Sequence, residues 1–177
     1  MNRAAPVGML AHHAERILAA RAALVSPPTG RAAEWRRGEY RISTDRALVD
    51  LDVVHAFLAN ESYWARGIPR DVVQRSIEHS LPFVLLHGAA QVGFARAVTD
   101  CAVFAYVGDV FVLPAHRGLG LSTWLMETLL AHPDLRGLRR ISLATRDAHG
   151  LYRRFGFAAA DPSVAMDLVK PDPYGRG

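Results

Sequence analysis

Cysteine, lysine and long apolar runs are all scarce in this sequence. Cys101 is the only cysteine, so an internal disulfide framework is excluded and a reducing compartment such as the cytoplasm is favoured. Half of the residues are hydrophobic, yet no uncharged apolar run approaches the roughly 18 residues that a membrane-spanning helix needs. The histidines are scattered, with neither a His-Glu-x-x-His motif nor a cysteine pair, so neither a metal site nor a membrane partner is expected.

The scarcity of lysine excludes one class of nucleotide-binding site. Lys170 is the only lysine, whereas a Walker loop requires a Gly-Lys-Ser or Gly-Lys-Thr sequence. The formal net charge of +4 is compatible with a polyanionic cofactor, but the arginines are too scattered to indicate nucleic-acid binding. We therefore expect a small-molecule ligand and no nucleic-acid partner.

By composition the chain divides into three parts. Residues 1–38 are rich in arginine and poor in acidic residues, and their apolar spacing predicts an amphipathic helix over residues 8–24, followed by a linker. This arm is interpreted as an accessory helix, with a transit peptide or an interaction arm as alternatives. Residues 39–170 are expected to form one domain with a single core, and residues 171–177 a loose tail.

Within residues 39–170, several antiparallel strands precede the first helical crossover. This order predicts an α+β fold (a mixed α/β sheet) rather than a doubly wound one. The predicted strands are residues 40–44, 83–86, 91–99, 102–112 and 139–145, with last strands at Phe157 and residues 164–169. The predicted helices are residues 50–58, with Asp50 as a cap, residues 70–79, a helix starting near Leu121 and a short helix around Tyr152 with Asp147 as a candidate N-cap.

Residues 109–124 organise the rest of the domain. They combine an apolar strand, a loop broken by Pro114, a glycine-rich turn and the start of a helix. A glycine-rich turn that enters a helix presents unpaired N–H groups at the positive end of the helix dipole. The turn is therefore expected to bind an anion, and Gly118 and Gly120 would let a pyrophosphate approach the backbone closely.

Two motifs in this region point to a family. A dinucleotide-binding fingerprint fails because Thr123 stands at its third glycine position. Instead, Arg117-x-x-Gly120-x-Ser122 closely resembles the Arg/Gln-x-x-Gly-x-Gly/Ala motif of the GNAT superfamily of N-acetyltransferases, with Ser122 in place of the usual Gly or Ala. About 30 residues further on, residues 148–157 resemble the Ala-x-x-x-Tyr-x-x-x-Gly-Phe signature of the same superfamily, and the resemblance covers roughly residues 39–170.

The resemblance implies a GNAT-like fold and acetyl-coenzyme A (acetyl-CoA) as co-substrate. The fold would have a mixed central sheet of about six or seven strands, flanking helices and a splayed cofactor cleft. The main chain around Phe111 and Val112 would pair with the pantetheine arm and supply an N–H that polarises the carbonyl. Thr145 stands where an asparagine that contacts this arm is common. The pyrophosphate would lie on the turn formed by Arg117, Gly118, Leu119, Gly120, Leu121, Ser122 and Thr123.

The catalytic candidates also follow from the resemblance. Tyr152 matches the family tyrosine that donates a proton to the departing thiolate, a step for which a phenol is a competent acid. Asp109 is a candidate general base, with pairing to an arginine across the sheet as its structural alternative. The other base candidates are His149, His79 and a water chain. Tyr63 and Trp64, in a loop over the acceptor end, are candidate substrate contacts, although packing in a secondary core explains them equally well.

Together these features predict an acetyl-CoA-dependent N-acetyltransferase. It would move an acetyl group to a primary amine of a small molecule or polypeptide by direct attack on the thioester. The absence of a Gly-x-Ser-x-Gly elbow agrees with a reaction that needs no covalent enzyme intermediate. The alternative is a non-catalytic acyl-CoA-binding sensor or interaction module. The protein is expected to be a monomer or a homodimer.

Overall fold

The computed structural model of the protein describes residues 32–170 and Tyr174. The helix expected at residues 8–24, its linker and the rest of the C-terminal tail lie outside the described residues. In the described residues, six strands form one sheet in sequential order and four helices flank it, which confirms the predicted α+β class. The strands are β1 (Glu34–Arg37), β2 (Tyr40–Ser43), β3 (Leu81–His87), β4 (Ala90–Thr99), β5 (Phe104–Val112) and β6 (Arg140–Ser142). The helices are α1 (Leu51–Ala56), α2 (Arg70–Glu78), α3 (Leu121–Leu130) and α4 (His149–Arg153).

The sheet begins earlier in the chain than residue 39, where the domain was expected to start. β1 forms a hairpin with β2, and Trp35 pairs with Ile42 in its register. The tight turn between them has Gly38 at φ +58°, a conformation that glycine adopts without steric cost. The strand expected to be the first of the sheet is therefore the second.

The middle of the sheet is buried on both faces. In β3, Phe83 and Leu85 pack against α3, whereas Val84 and Leu86 pack against α1 and α2. Side chains that alternate along a strand lie on opposite faces, so a strand with every residue apolar must be covered on both sides. The hydrophobic core therefore has two parts. One holds α3 against one face of the sheet, and the other holds α1 and α2 against the opposite face.

The helices over the second face begin where the sequence predicts. Asp50 caps α1, since its carboxylate accepts hydrogen bonds from the main-chain N–H groups of Asp52 (3.0 Å) and Val53 (3.1 Å). α1 continues as one π-helical turn, Phe57–Glu61, and Pro69 lies directly before α2. The segment between the two helices is thereby held over the sheet.

The strands expected at Phe157 and residues 164–169 do not form in the described structure. The N–H of Phe157 instead closes a turn after α4 by donating to the Tyr152 carbonyl (3.3 Å). The Asp161 carbonyl then accepts from Val164 in a further turn, and the side chain of Met166 is 97% exposed. A run of apolar residues forms a strand only where a sheet edge is available to pair with it, and this segment lies outside the sheet.

A gap between β5 and β6 positions the site. The two strands are parallel and pair only from Phe104 to Tyr106 of β5. β5 then continues to Val112 without a strand partner on that side among the described residues. Main-chain groups left unpaired in this way must bond to something else, so the gap is suited to an extended ligand.

Candidate active site

A cleft with a volume of about 330 Å³ opens where β5 leaves β6. Its wall is built from the end of β5, the turn before α3, the first turn of α3, the start of α4 and two aromatic side chains above the sheet. The predicted site residues that line it are Trp64, Phe111, Val112, Arg117, Gly118, Gly120, Leu121, Ser122 and Tyr152. The predicted site residues outside its lining are Tyr63, Asp109, Leu119, Thr123 and Thr145.

The turn before α3 has the geometry of an anion site. Gly118 (φ +79°) and Gly120 (φ +71°) both adopt left-handed conformations that side-chain-bearing residues disfavour. Gly120 is the N-cap of α3, and no side chain caps this helix. The first main-chain hydrogen bond of the helix runs from Trp124 to the Gly120 carbonyl (3.0 Å), so the N–H groups before it remain available. Their partial positive charge favours a phosphate at this end of the cleft.

Two side chains flank this turn. The Arg117 Nε donates to the Val112 carbonyl (2.9 Å), which fixes the guanidinium beside the end of β5. His116 also lines the cleft, and its Nδ1 lies 2.9 Å from the hydroxyl of Tyr40, whose ring stacks on His87. His116 was missed by sequence reasoning, since only its position next to Arg117 in the turn could have indicated it.

Tyr152 faces the same cleft from α4. Its side chain is only 9% exposed, and its ring packs edge-on against Phe157 with the centroids 5.9 Å apart. No group in the described part of the chain forms a hydrogen bond with its hydroxyl. Burial, followed by the nearby Tyr63, Asp147 and Tyr106, raises the pKa of the Tyr152 phenol to about 12. The phenol is therefore protonated at neutral pH and is free to donate into the cleft.

A β-bulge determines the surroundings of Asp109. The pairing of β4 with β5 shifts register between Phe94 and Arg96, and Asp109 has a positive φ of +54°. Its carboxylate pairs with the Arg96 guanidinium and accepts a hydrogen bond from the Trp64 indole Nε1 at 3.1 Å. Both carboxylate oxygens of Asp109 are thus occupied by protein donors.

Aromatic side chains form the opposite wall. Phe57 stacks on Phe111 with the centroids 3.9 Å apart, and Trp64, which is 42% exposed, lies beside Phe57. Tyr63 connects this wall to the segment before α4. Its hydroxyl accepts a hydrogen bond from the main-chain N–H of Arg146 (2.7 Å), and the Arg146 guanidinium stacks over its ring at 3.9 Å.

The segment before α4 differs from the sequence prediction. Asp147 does not cap the helix; the N-cap is Ala148, and the Thr145 hydroxyl accepts the hydrogen bond from the Ala148 N–H (3.0 Å). Asp147 instead lines the cleft. Because the Thr145 hydroxyl takes the capping hydrogen bond, the carboxylate of Asp147 is not needed for it and can face the cleft. The cap prediction was wrong because both the Thr145 hydroxyl and the Asp147 carboxylate are close enough in sequence to accept a hydrogen bond from a main-chain N–H at the start of α4.

Neither a metal cluster nor a membrane-spanning helix is found in the described residues. No group of three or more His, Cys, Asp or Glu side chains that could hold a metal ion occurs in residues 32–170 and Tyr174. No helix in the same part of the chain is long and apolar enough to cross a membrane.

Comparison with known proteins identifies the family. The model of the GNAT acetyltransferase family matches residues 51–157. A crystal structure of a GNAT-family protein from Xanthomonas campestris pv. campestris has 49% sequence identity and a TM-score of 0.75, and the match covers 78% of this chain and 99% of that chain. An acetyltransferase-like protein of Gibberella zeae is 33% identical over an alignment of 140 residues, and the match covers 67% of this chain and 78% of that protein.

A plant enzyme also matches. Serotonin N-acetyltransferase 2, chloroplastic, of Oryza sativa subsp. japonica is 38% identical over an alignment of 119 residues, and the match covers 62% of this chain and 59% of the rice protein. The family model, the sequence relatives and the fold agree with one another. This chain belongs to the GNAT family of acetyltransferases.

Proposed function

We propose that the protein is an acetyl-CoA-dependent N-acetyltransferase that acetylates a primary amine by direct attack on the thioester. The observation that carries this proposal is the meeting of two features in one cleft. An uncapped helix N-terminus behind two left-handed glycines faces the same space as the unpartnered hydroxyl of Tyr152. The first feature suits a pyrophosphate, and the second suits a leaving thiolate.

The donor would lie along β5. The N–H groups from Gly118 to Thr123 would hold the pyrophosphate; the side chains of Leu119 and Thr123 lie outside the cleft, but their main-chain groups belong to the same turn. Arg117 adds positive charge beside it. The unpaired side of β5 up to Phe111 and Val112 would accept the pantetheine arm and place one N–H at the thioester carbonyl.

Tyr152 would act as the general acid. The amine nitrogen forms a bond to the carbonyl carbon, the carbon–sulfur bond breaks, and the sulfur takes a proton from the phenol. The phenolate then regains a proton from water, to which the amine has lost one. A free thiol has a pKa of about 8.5, well below that of the buried phenol. The apolar surroundings that disfavour the phenolate also disfavour the thiolate, so the gap between the two pKa values narrows inside the cleft.

Asp109 is better suited to positioning than to accepting a proton. Its carboxylate is paired with Arg96 and also holds the Trp64 indole. A carboxylate in a nearly buried ion pair has no free oxygen directed at an incoming amine. We therefore assign Asp109 the role of fixing Trp64 at the cleft, and we propose that the proton lost by the amine passes to water.

The acceptor would be a small primary amine. The name of the rice relative specifies serotonin, an amine on an aromatic body, as its substrate. The aromatic wall of Phe57, Trp64 and Phe111 offers apolar contacts to such a molecule. The single cysteine, Cys101, agrees with a reducing compartment such as the cytoplasm, which we propose as the location of this reaction.

Thiol release tests the proposal. The full chain is incubated with acetyl-CoA and a panel of primary amines. The release of free thiol is measured by a colorimetric assay, and the products are identified by mass spectrometry. We expect thiol release that depends on the amine and is matched by an equal amount of acetylated amine. If calorimetry shows that acetyl-CoA binds but no amine releases thiol, the non-catalytic sensor function is supported instead.

A substitution in the aromatic wall separates substrate contact from packing. Trp64→Ala should raise the KM for the acceptor about tenfold, because a large aromatic contact is lost, with little change in the KM for acetyl-CoA. Trp35→Ala is the matched control, since Trp35 is a partly buried tryptophan packed on the other core cluster. Steady-state kinetics of both variants check this. Loss of thermal stability in Trp64→Ala without a selective effect on the acceptor KM would show that Trp64 only packs.

A further inference from the structure

Among the described residues that line the cleft, Asp147 is the only one with a carboxylate. Its side chain is exposed, and no group in the described part of the chain forms an ion pair or hydrogen bond with it. Asp109 differs sharply, because Arg96 and Trp64 occupy its carboxylate. The negative charge of Asp147 is therefore available to a ligand, whereas that of Asp109 is already neutralised.

The position of Asp147 places it at the acceptor end. The hydrogen bond from the Arg146 N–H to the Tyr63 hydroxyl holds residues 146–147 beside residues 63–64. Arg146 itself stacks on the Tyr63 ring, so its guanidinium has a partner other than the carboxylate next to it in the chain. Asp147 and Tyr152 also line the same cleft.

The charged residues that line the cleft come from different segments. Arg117 and His116 flank the turn before α3, whereas Asp147 follows Arg146, whose main-chain N–H is bonded to Tyr63, the neighbour of Trp64 in the chain. A carboxylate beside aromatic rings is a combination that attracts an organic cation, by charge and by cation–π contact. The same carboxylate repels a ligand that carries its own carboxylate or phosphate.

We propose that Asp147 binds the ammonium form of the acceptor and makes the enzyme selective for cationic amines that lack an acidic group. This proposal rests on the proposed N-acetyltransferase function and deepens it. A primary alkylamine has a pKa of about 10.4, so it reaches the cleft mostly as an ammonium ion. Asp147 collects this ion beside the thioester, and the amine then loses its proton to water before attack.

The test compares Asp147→Asn with the wild type on two probe amines. 2-Phenylethylamine is an ammonium ion at pH 7.5, whereas aniline is neutral at that pH. Asp147→Asn should raise the KM for 2-phenylethylamine about fivefold to tenfold, and this difference should shrink at high salt, since it comes from charge. The KM for aniline and the affinity for acetyl-CoA should stay unchanged. Asp167→Asn removes a carboxylate from the exposed C-terminal segment and serves as the control.

Equilibrium binding gives a second readout. Calorimetric titration of 2-phenylethylamine into the enzyme saturated with CoA should show a similar fivefold to tenfold loss of affinity in Asp147→Asn. Equal KM and affinity in Asp147→Asn and the wild type would overturn the role of Asp147 and leave the proposed acetylation intact. If the wild type releases thiol with no amine at all, the proposed function fails and the Asp147 proposal fails with it.

Discussion

Tyr152→Phe is expected to lower the turnover number about 100-fold and leave the affinity for acetyl-CoA unchanged. General acid catalysis contributes roughly 100-fold to 10,000-fold, so this estimate lies at the lower end. The hydroxyl has no hydrogen-bond partner in the described structure, so the substitution breaks no bond within the protein. The phenylalanine ring can keep the edge-on contact with Phe157. The loss should therefore appear in catalysis and not in stability.

The pH dependence distinguishes this role further. A free phenol has a pKa of about 10, so an enzyme that relied on an unperturbed tyrosine would lose activity as the pH approaches 10. Burial raises the pKa of Tyr152 to about 12, so the proton remains in place throughout pH 6–10. We therefore expect Tyr152→Phe to be slower by a similar factor at every pH in this range.

The control for this experiment is Tyr106→Phe. Tyr106 lies on β5, is 38% exposed and acts on the Tyr152 hydroxyl, but it does not line the cleft. Its loss should change the turnover number only a few-fold. Near wild-type turnover in Tyr152→Phe at every pH would mean that the thiolate takes its proton from water.

Gly120→Val should weaken CoA binding at least 100-fold. Gly120 has φ +71°, a conformation that costs a side-chain-bearing residue roughly 1–2 kcal/mol and a β-branched one more. A Cβ at this position meets nothing within 4 Å, so the strain comes from the backbone and not from a clash. The chain would relieve it by turning the N–H groups of the α3 start away from the cleft, and the pyrophosphate would lose several hydrogen bonds together.

A second glycine provides a matched control for this prediction. Gly137 has φ +77°, also has open space around a Cβ, and lies outside the cleft. Gly137→Val should cost similar stability in thermal unfolding and leave CoA affinity, measured by calorimetry, as in the wild type. If Gly120→Val binds CoA as tightly as the wild type does, the pyrophosphate does not bind at this turn.

The sequence predicted the parts of the site that one continuous segment builds. The turn from Arg117 to Ser122 and the helix that carries Tyr152 are local features, and their spacing is recognisable without knowing the rest of the fold. Asp147, His116 and Phe57 line the cleft because three separate segments of the chain meet there. Which residues meet depends on contacts such as that of Tyr63 with Arg146, which no local pattern encodes.

The strands show the same limit. β3 and β4 were predicted correctly because continuous apolar runs around a turn with Gly88 specify a buried hairpin. β1 was missed because three of its four residues are charged and only Trp35 packs on the core. The segment at residues 164–169 is an apolar run of the kind found in strands, but pairing is a tertiary property that such a run alone does not supply.

The β-bulge at Asp109 decides between the two roles that the sequence left open for this residue. The sequence left two roles open for this residue, a base or an ion-pair partner in the sheet. The register shift after Phe94 and the positive φ of Asp109 bring its carboxylate to Arg96 and Trp64. A bulge inserts one extra residue on one strand, and the alternation of apolar residues does not predict where this happens.

The most direct test is a crystal structure of the full chain with acetyl-CoA. We expect the pyrophosphate to accept hydrogen bonds from the main-chain N–H groups between Gly118 and Thr123, and the pantetheine arm to run along the unpaired side of β5. The thioester sulfur should lie within hydrogen-bonding distance of the Tyr152 hydroxyl. A complex with the pyrophosphate away from this turn, or with the sulfur out of reach of Tyr152, would contradict the assignment of this cleft as the acetyl-transfer site.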